Sequence, residues 1–598
     1  MNSRREICQN CQQEFRIEPE DFAFYEKMEV PPPTFCPECR LQRRMIWRNE
    51  IVFYKRICDA TGNEIFSMFS PKAPVNVYDR DYWWSDKWDP LAYGREYDFK
   101  RPFFEQLKEL IQTVPWPSRS FLDNVGSEYC MNCSYLKNCY MLFDADSCED
   151  SSYGVGINKL KNCFDNLSLD SCELCYECFF CARCYRAFYC SNCEDSSDIT
   201  FSKDCVNCRN CFGCVGLRNK SYCIFNEQYS KEEYFRKIAE FKGGSYKSFL
   251  QNKKKALDFF RTFPVRYMHG SHNQDVSGDY IYNSKNVHDS YTVRTIEDSR
   301  YCAVIKALPG GARQCYDYDL FGWNAELIYE CNNVGYNASN VKFSVLVYLN
   351  ARDIEYSLSC ISSVHDLFGC VGLQKKQYCI LNKQYTRSEY FKMIPKIKNH
   401  MNKMPYVDAR GRIYKYGEFI PVELSPFGYN EAIVQEYMPL SKEAARKAGF
   451  PWRESIAKEY PVTLSWADLP DSIDDADDSI LKETILCRAW DTDKEKAQQH
   501  NCSKAFRITA RELAFYREMN LPLPRKCFYS RHYDRTLQRN PIRKQYRRQC
   551  MCDYQVHRNL AEHTHPVRSR CLNEFKTSYS PERPEIVYCQ QCYQAEVT

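Results

Sequence analysis

At 598 residues the chain is too long for one hydrophobic core, so several domains are expected. Its 82 Lys+Arg nearly balance 78 Asp+Glu, which excludes a global field for nucleic acid and leaves only local patches. No run approaches the roughly 18 apolar residues of a membrane span, and the opening MNSRREICQNC lacks the apolar core of a secretory signal, so a cytoplasmic location is expected.

The 36 cysteines therefore need a reading other than disulfides, which reducing compartments disfavour. Metal ligation and packing as small hydrophobes are the two candidates. The first module, residues 1–100, opens with Cys8-Gln-Asn-Cys11 and Cys36-Pro-Glu-Cys39. Two CxxC knuckles let four thiolates close tetrahedrally on one Zn²⁺, so these four are assigned to a structural zinc in a small β-rich ribbon. A possible second site in this module keeps only Cys58, because Asp79 and Tyr82 stand where a CxxC pair would be, and it is expected to be metal-free. Trp83, Trp84 and Trp88 follow as a packing hub. Residues 101–125 read as a helical linker, with Pro102 opening a helix that lines up Phe103, Leu107, Leu110 and Ile111.

The centre holds a repeat. Cys205–Phe235, CVNCRNCFGCVGLRNKSYCIFNEQYSKEEYF, returns without a gap as Ile361–Phe391, ISSVHDLFGCVGLQKKQYCILNKQYTRSEYF. Such a match reads as an internal duplication of a structural unit. Within residues 126–229, short units recur about every twelve residues: Asn138-Cys-Tyr, Ser151-Ser-Tyr, Asn162-Cys-Phe and Leu174-Cys-Tyr. Residues 269–385 keep the beat with fewer cysteines. Short apolar units between Asn, Asp, Gly and Ser read as strands and tight turns, so the fold class is mainly β, with two tandem parallel β-helix solenoids and about two units per coil. A stack of zinc-stabilised hairpins is the rival. The run Cys172, Cys175, Cys178, Cys181, Cys184 invites an iron–sulfur reading. Against it for the later group, Cys205, Cys208 and Cys211 return as Ile361, Val364 and Leu367, which a packing residue can do and a ligand cannot. Ser230–Glu233 and Thr386–Glu389 are capping boxes that start a covering helix after each solenoid, within 230–268 and 386–480.

Residues 481–598 echo the first module. Phe506, Phe515, Tyr516, Met519, Pro522 and Cys527 repeat Phe15, Phe24, Tyr25, Met28, Pro31 and Cys36, while Gln499 and Ser530 replace Cys8 and Cys39. Cys502 and Cys527 survive there, with Cys487 available across an insertion. Downstream, Cys571, Cys589 and Cys592 plus either Cys550 or Cys552 form the second expected structural zinc, giving two in all. His557, His563 and His565 could substitute but, as lone histidines among basic residues, are read as solvated.

Both modules carry arginines at a spacing of four: Arg40, Arg44 and Arg48, then Arg531, Arg535, Arg539 and Arg543. On a helix that makes one cationic face, fit for nucleic acid or for an acidic protein partner. The competing readings are a solvated face, or pairing with the acidic segment Asp468–Asp478. No P-loop, GxGxxG, GxSxG or HExxH motif occurs, so no catalytic residue and no small-molecule substrate is assigned. Asp195, Asp198, Asp317 and Asp319 are the carboxylates a β-helix carbohydrate hydrolase or lyase would use, but they are not distinctive and turn use is the preferred reading.

The strings CPECRLQRRMIWRNE, WWSDKWDPLAYG, YGEFIPVELSPFGYNEAIVQEYMPLS and RPEIVYCQQCYQAEV resemble a family of long, cysteine-rich bacterial zinc-ribbon proteins. Some members are labelled CaiB/BaiF-type CoA-transferases, a chemistry these residues do not support. The resemblance implies CxxC pairs at Asp79/Tyr82 and at Cys527/Ser530, where this chain departs from the pattern. The whole reads as a non-enzymatic zinc-binding scaffold that grips nucleic acid, or else a purely protein-directed scaffold.

Overall fold

The computed structural model describes residues 3–241, 243–307, 310–454, 461–557, 559, 561–563, 565–566 and 569–597. Its contacts form two compact units. The first joins Met1–Arg119, Met268–Arg453 and Pro541–Gln545; the second joins Ser120–Tyr267, Glu454–Asn540 and Tyr546–Thr598. The N-terminal module therefore belongs with the second solenoid, and the C-terminal module with the first.

In the second unit, parallel bridges run from Val125 to Lys137, on to Glu149, Lys161 and Glu173. Equivalent residues in successive coils lie 12 apart, so each recurring unit is a full coil and not half of one, a correction to the sequence reading. A residue with positive φ recurs at every third position, as at Tyr129 (54°), Asn132 (55°), Tyr135 (55°), Asn138 (52°) and Met141 (51°). These corners divide the coil into four short sides. On each side one residue turns the corner, the next faces in, and the third faces out. Cys130, Cys133, Leu136, Cys139, Leu142, Ala145 and Cys148 are successive inward residues, all buried.

The left-handed corner costs an L-residue roughly 1–2 kcal/mol. Two ladders of backbone bonds offset it. The corner N–H donates to the coil before, as Asn138 to the Val125 carbonyl (2.9 Å), and the outward N–H to the coil after, as Lys137 to Cys148 (3.0 Å). The inward N–H is left over. The inward side chain one coil earlier accepts it: Ser127 from Cys139 (3.0 Å), Ser151 from Cys163 (3.1 Å), Asn166 from Cys178 (2.9 Å) and the Cys172 sulfur from Cys184 (3.4 Å). The thiols donate in turn, Cys133 to the Met131 carbonyl (3.1 Å) and Cys178 to that of Ala187 (3.2 Å). A narrow core thus selects side chains that are small and can still hydrogen-bond. The Cys172–Cys184 run is one such inward row, and the iron–sulfur alternative gives way to it.

The solenoid of the first unit uses the same device with coils mostly of 12 or 13 residues, one of them lengthened to 16 between Ser299 and Cys315. Ser290 accepts from Cys302, Ser344 from Ser357 and Ser357 from Cys370, each at 3.1 Å. Its interior carries more Val, Ile and Leu.

Both solenoids end alike. A short strand folds back antiparallel on the last coil, Glu227–Gln228 on Ser221–Ile224 and Lys383–Gln384 on Gln377–Ile380. Helices Lys231–Ile238 and Arg387–Lys403 follow, each with its capping box formed. Tyr234 meets Tyr222 at 5.8 Å between ring centres and Tyr390 meets Tyr378 at 5.9 Å, so each helix lies against the final coil and closes the sheet edge. In the first unit the Phe103–Thr113 helix buries Phe103, Leu107, Leu110 and Ile111, and Trp83 is fully buried against Trp84 and Trp88.

Candidate metal centres

Among the described residues one local arrangement occurs four times. A hairpin or turn presents a cysteine sulfur, and the residue that leads a short helix donates its backbone N–H to that sulfur. In the first unit Cys36 N donates to Cys8 Sγ (3.2 Å) and Asp79 N to Cys58 Sγ (3.1 Å). In the second, Cys527 N donates to Cys487 Sγ (3.2 Å) and Cys589 N to Cys550 Sγ (3.1 Å). The helices so led are Pro37–Met45, Arg80–Trp83, Phe528–Thr536 and Gln590–Val597. A helix N-terminus carries partial positive charge, which stabilises thiolates placed there.

Where the remaining ligands are cysteines, the arrangement could hold a metal ion. The sulfurs of Cys8, Cys11, Cys36 and Cys39 all lie within 4.8 Å of one another, as the sequence predicts. Cys11 and Cys36 sulfurs are 3.7 Å apart. A tetrahedral ion with metal–sulfur bonds of about 2.3 Å needs sulfurs about 3.8 Å apart, so the site fits one. Asn10 donates to Cys39 Sγ at 3.3 Å. At the second position of this unit the carboxylate of Asp79 accepts from Asp81 N (3.0 Å) and caps the helix, so hydrogen bonds occupy the place of the ion.

In the second unit Cys550, Cys571, Cys589 and Cys592 come together within the same 4.8 Å limit, which selects Cys550 over Cys552. Cys552 groups with His563, His565 and, again, Cys592. This corrects the reading of the histidines as solvated. His563 Nδ1 and His565 Nε2 each lie 3.1 Å from Cys552 Sγ, and His563 Nε2 meets Glu596 at 2.7 Å. A carboxylate behind an imidazole fixes which nitrogen faces a metal. The sequence signal for it was the His-x-His pair opposite a CxC. His557 stays outside the group.

The degraded site is also assembled. Cys487 takes the place of Cys8 from a different part of the chain and meets Cys502 and Cys527 within 4.8 Å. Cys502 and Cys527 sulfurs are 3.6 Å apart, and Ser530 Oγ lies 3.5 Å from Cys527 Sγ and 3.6 Å from Cys487 Sγ, in the fourth position.

The arginine stripes face inward, which corrects their assignment to nucleic acid. Arg40 pairs with Asp317 (2.8 Å), and Arg44 with Asp319 (2.5 Å), Glu330 (3.1 Å) and Asp317 (3.2 Å), all fully buried. Arg43 bridges Glu330 (2.6 Å) and Glu418 (2.7 Å), and Arg543 donates to the Pro37 carbonyl (3.3 Å) beside Asp317. Arg48 is buried against Glu50 at 2.7 Å. In the second unit Arg531 and Arg535 share Asp165 (2.9 and 3.3 Å), and Arg535 also meets Glu177 (3.1 Å). Arg539 is half-buried. Apart from Glu50 and Glu418, the paired acids sit on the solenoid, and none of these pairs uses Asp468–Asp478. Aromatic seats accompany them: Phe24 stacks on Tyr316 at 3.9 Å and Phe515 on Phe164 at 4.3 Å. The Pro37–Met45 and Phe528–Thr536 helices are thus each docked on the solenoid of their own unit. Asp317 and Asp319 are tied to arginine, Asp195 is paired to Arg183 at an exposed corner (2.6 Å), and Asp198 meets Arg186 (3.4 Å).

Comparison with protein-family models finds no match, and comparison with curated proteins finds none either.

Proposed function

We propose that the protein is a zinc-dependent scaffold in which zinc-ribbon-like knuckles, duplicated at the two ends of the chain, hold two duplicated solenoids in working form. The observation that carries this reading is the buried contact between each knuckle helix and its solenoid. The ion orders the helix start, and the same helix supplies Arg40 and Arg44, or Arg531 and Arg535, to acids that would otherwise be buried without a counter-charge. The all-thiolate and thiolate–imidazole donor sets suit Zn²⁺, and sets filled by protein suit structural rather than catalytic metal. The nucleic-acid and acidic-partner readings lose the residues on which they stood.

The test is elemental analysis of the untagged chain, followed by thermal melting before and after a strong chelator. Stoichiometric zinc without iron, and a clearly lower melting temperature once zinc is stripped, are expected. A metal-free chain with an unchanged melting curve, or stoichiometric iron, would end the proposal.

A further inference from the structure

Cys592 belongs to both metal groups of the second unit. Two separate tetrahedral sites would need eight donor atoms. Seven come together here: the sulfurs of Cys550, Cys552, Cys571, Cys589 and Cys592 and one nitrogen each of His563 and His565. We propose that these seven residues hold two metal ions joined by the Cys592 thiolate, one ion bound by four sulfurs and the other by two sulfurs and two imidazoles. This deepens the scaffold reading at one site and takes from it only the kind of ion.

The surroundings suit a bridged pair. Five thiolates against two divalent ions leave one excess negative charge, and N–H donors are aimed at the sulfurs: Cys589 N on Cys550 Sγ (3.1 Å), Asn559 Nδ2 on Cys552 Sγ (3.4 Å) and Asn573 Nδ2 on Cys589 Sγ (3.5 Å). Such bonds hold a thiolate in its charged form. His563 has a fully buried side chain, and so nearly does Glu596 behind it, the arrangement that keeps the far nitrogen free to ligate. Cys592 lies in the first turn of the Gln590–Val597 helix, where the helix dipole favours the charge that a doubly bound sulfur must carry. The ion on the histidine side would tie His563 and His565 to Cys552 and Cys592. The corresponding stretch of the N-terminal module lacks the histidines and four of the five sulfurs, having only Cys58.

Bridged by one sulfur at about 2.3 Å from each, the ions stand on the order of 3.5–4 Å apart. Cadmium NMR of the cadmium-substituted full chain tests the bridge. Two resonances split by mutual coupling through the shared sulfur are expected. The double variant His563→Ala, His565→Ala should lose one resonance, all splitting and one metal equivalent, while Cys592→Ser should abolish the splitting. The resonance of the Cys8–Cys39 site serves as an internal standard and should stay unchanged in both. Two unsplit resonances from this centre in the wild type would overturn the bridge. So would an unchanged metal content in the histidine variant with the standard intact. Either result leaves the scaffold reading standing, whereas loss of zinc dependence at the Cys8–Cys39 site would remove that reading and not this one.

Discussion

An inward residue of the solenoid has two tasks, to fill a narrow core and to accept an N–H from the next coil. Serine and cysteine do both, which is why they recur along these rows. Ser151 is fully buried and accepts from Cys163. Ser151→Ala should leave that N–H without a partner and destabilise the second unit by about 1–3 kcal/mol in denaturant titration. Cys175→Ser should cost less than Cys175→Leu, for which overpacking adds about 1–3 kcal/mol; the reverse order would contradict the narrow core. Asp319 shows how charge behaves at the same depth. Burial pushes its carboxyl up to about 6, which Arg44 only partly opposes. A buried acid with a raised pKa binds its proton more tightly folded than unfolded. Its contribution is therefore present below about 4 and is lost as pH rises through about 6, at no more than about 1.4 kcal/mol per pH unit. The stability gap between wild type and Asp319→Asn should narrow over that window and be flat above it. A gap that widens with pH would show that the ionised carboxylate is the stabilising form.

At the scale of elements, the docked helix matters most. Arg40, Arg43, Arg44 and Arg543 meet Asp317, Asp319, Glu330 and Glu418, four charges against four. Burial alone would raise the Asp317 carboxyl, yet Arg40, Arg44 and Arg543 hold it below the usual carboxylate range. Arg44→Met should cost about 3–5 kcal/mol of stability in the first unit, because three carboxylates lose a buried partner. Low-salt retention of RNA or DNA by the folded variant should equal that of wild type; a specific loss of retention would restore the cationic face to the surface. This element also marks how far the sequence could be read. Spacing by four placed Arg40 and Arg44 on one helix face correctly. What that face meets is written far away, at Asp317 and Glu330, one coil apart, and no local pattern points there. The set Cys8, Cys11, Cys36, Cys39 was legible because both knuckles are short-range motifs. Cys552, His563 and His565 were not, since only the folded hairpin decides which sulfur faces which centre. The solenoid fold was legible from its beat, but the three-residue side was hidden: CxxC is both a knuckle signature and the spacing of one inward residue per side.

At the scale of the whole chain, the two units interleave. The first takes residues before and after the first solenoid, and the second takes residues before and after the second. Arg40 and Asp317 are 277 positions apart, and Asp165 and Arg531 are 366 apart. Ribosomes add roughly 5–20 residues per second, so the N-terminal helix waits on the order of 15–55 s for its acids to be made. Asp165 and Glu177 wait longer still for their arginines. From the synthesis of Glu177 until that of Asp317, one unpaired basic stripe and one unpaired acidic strip exist on the same nascent chain, each complementary to a partner not yet translated. Neighbouring ribosomes on one message would carry both, which makes exchange of ends between sister chains the characteristic misassembly of this design.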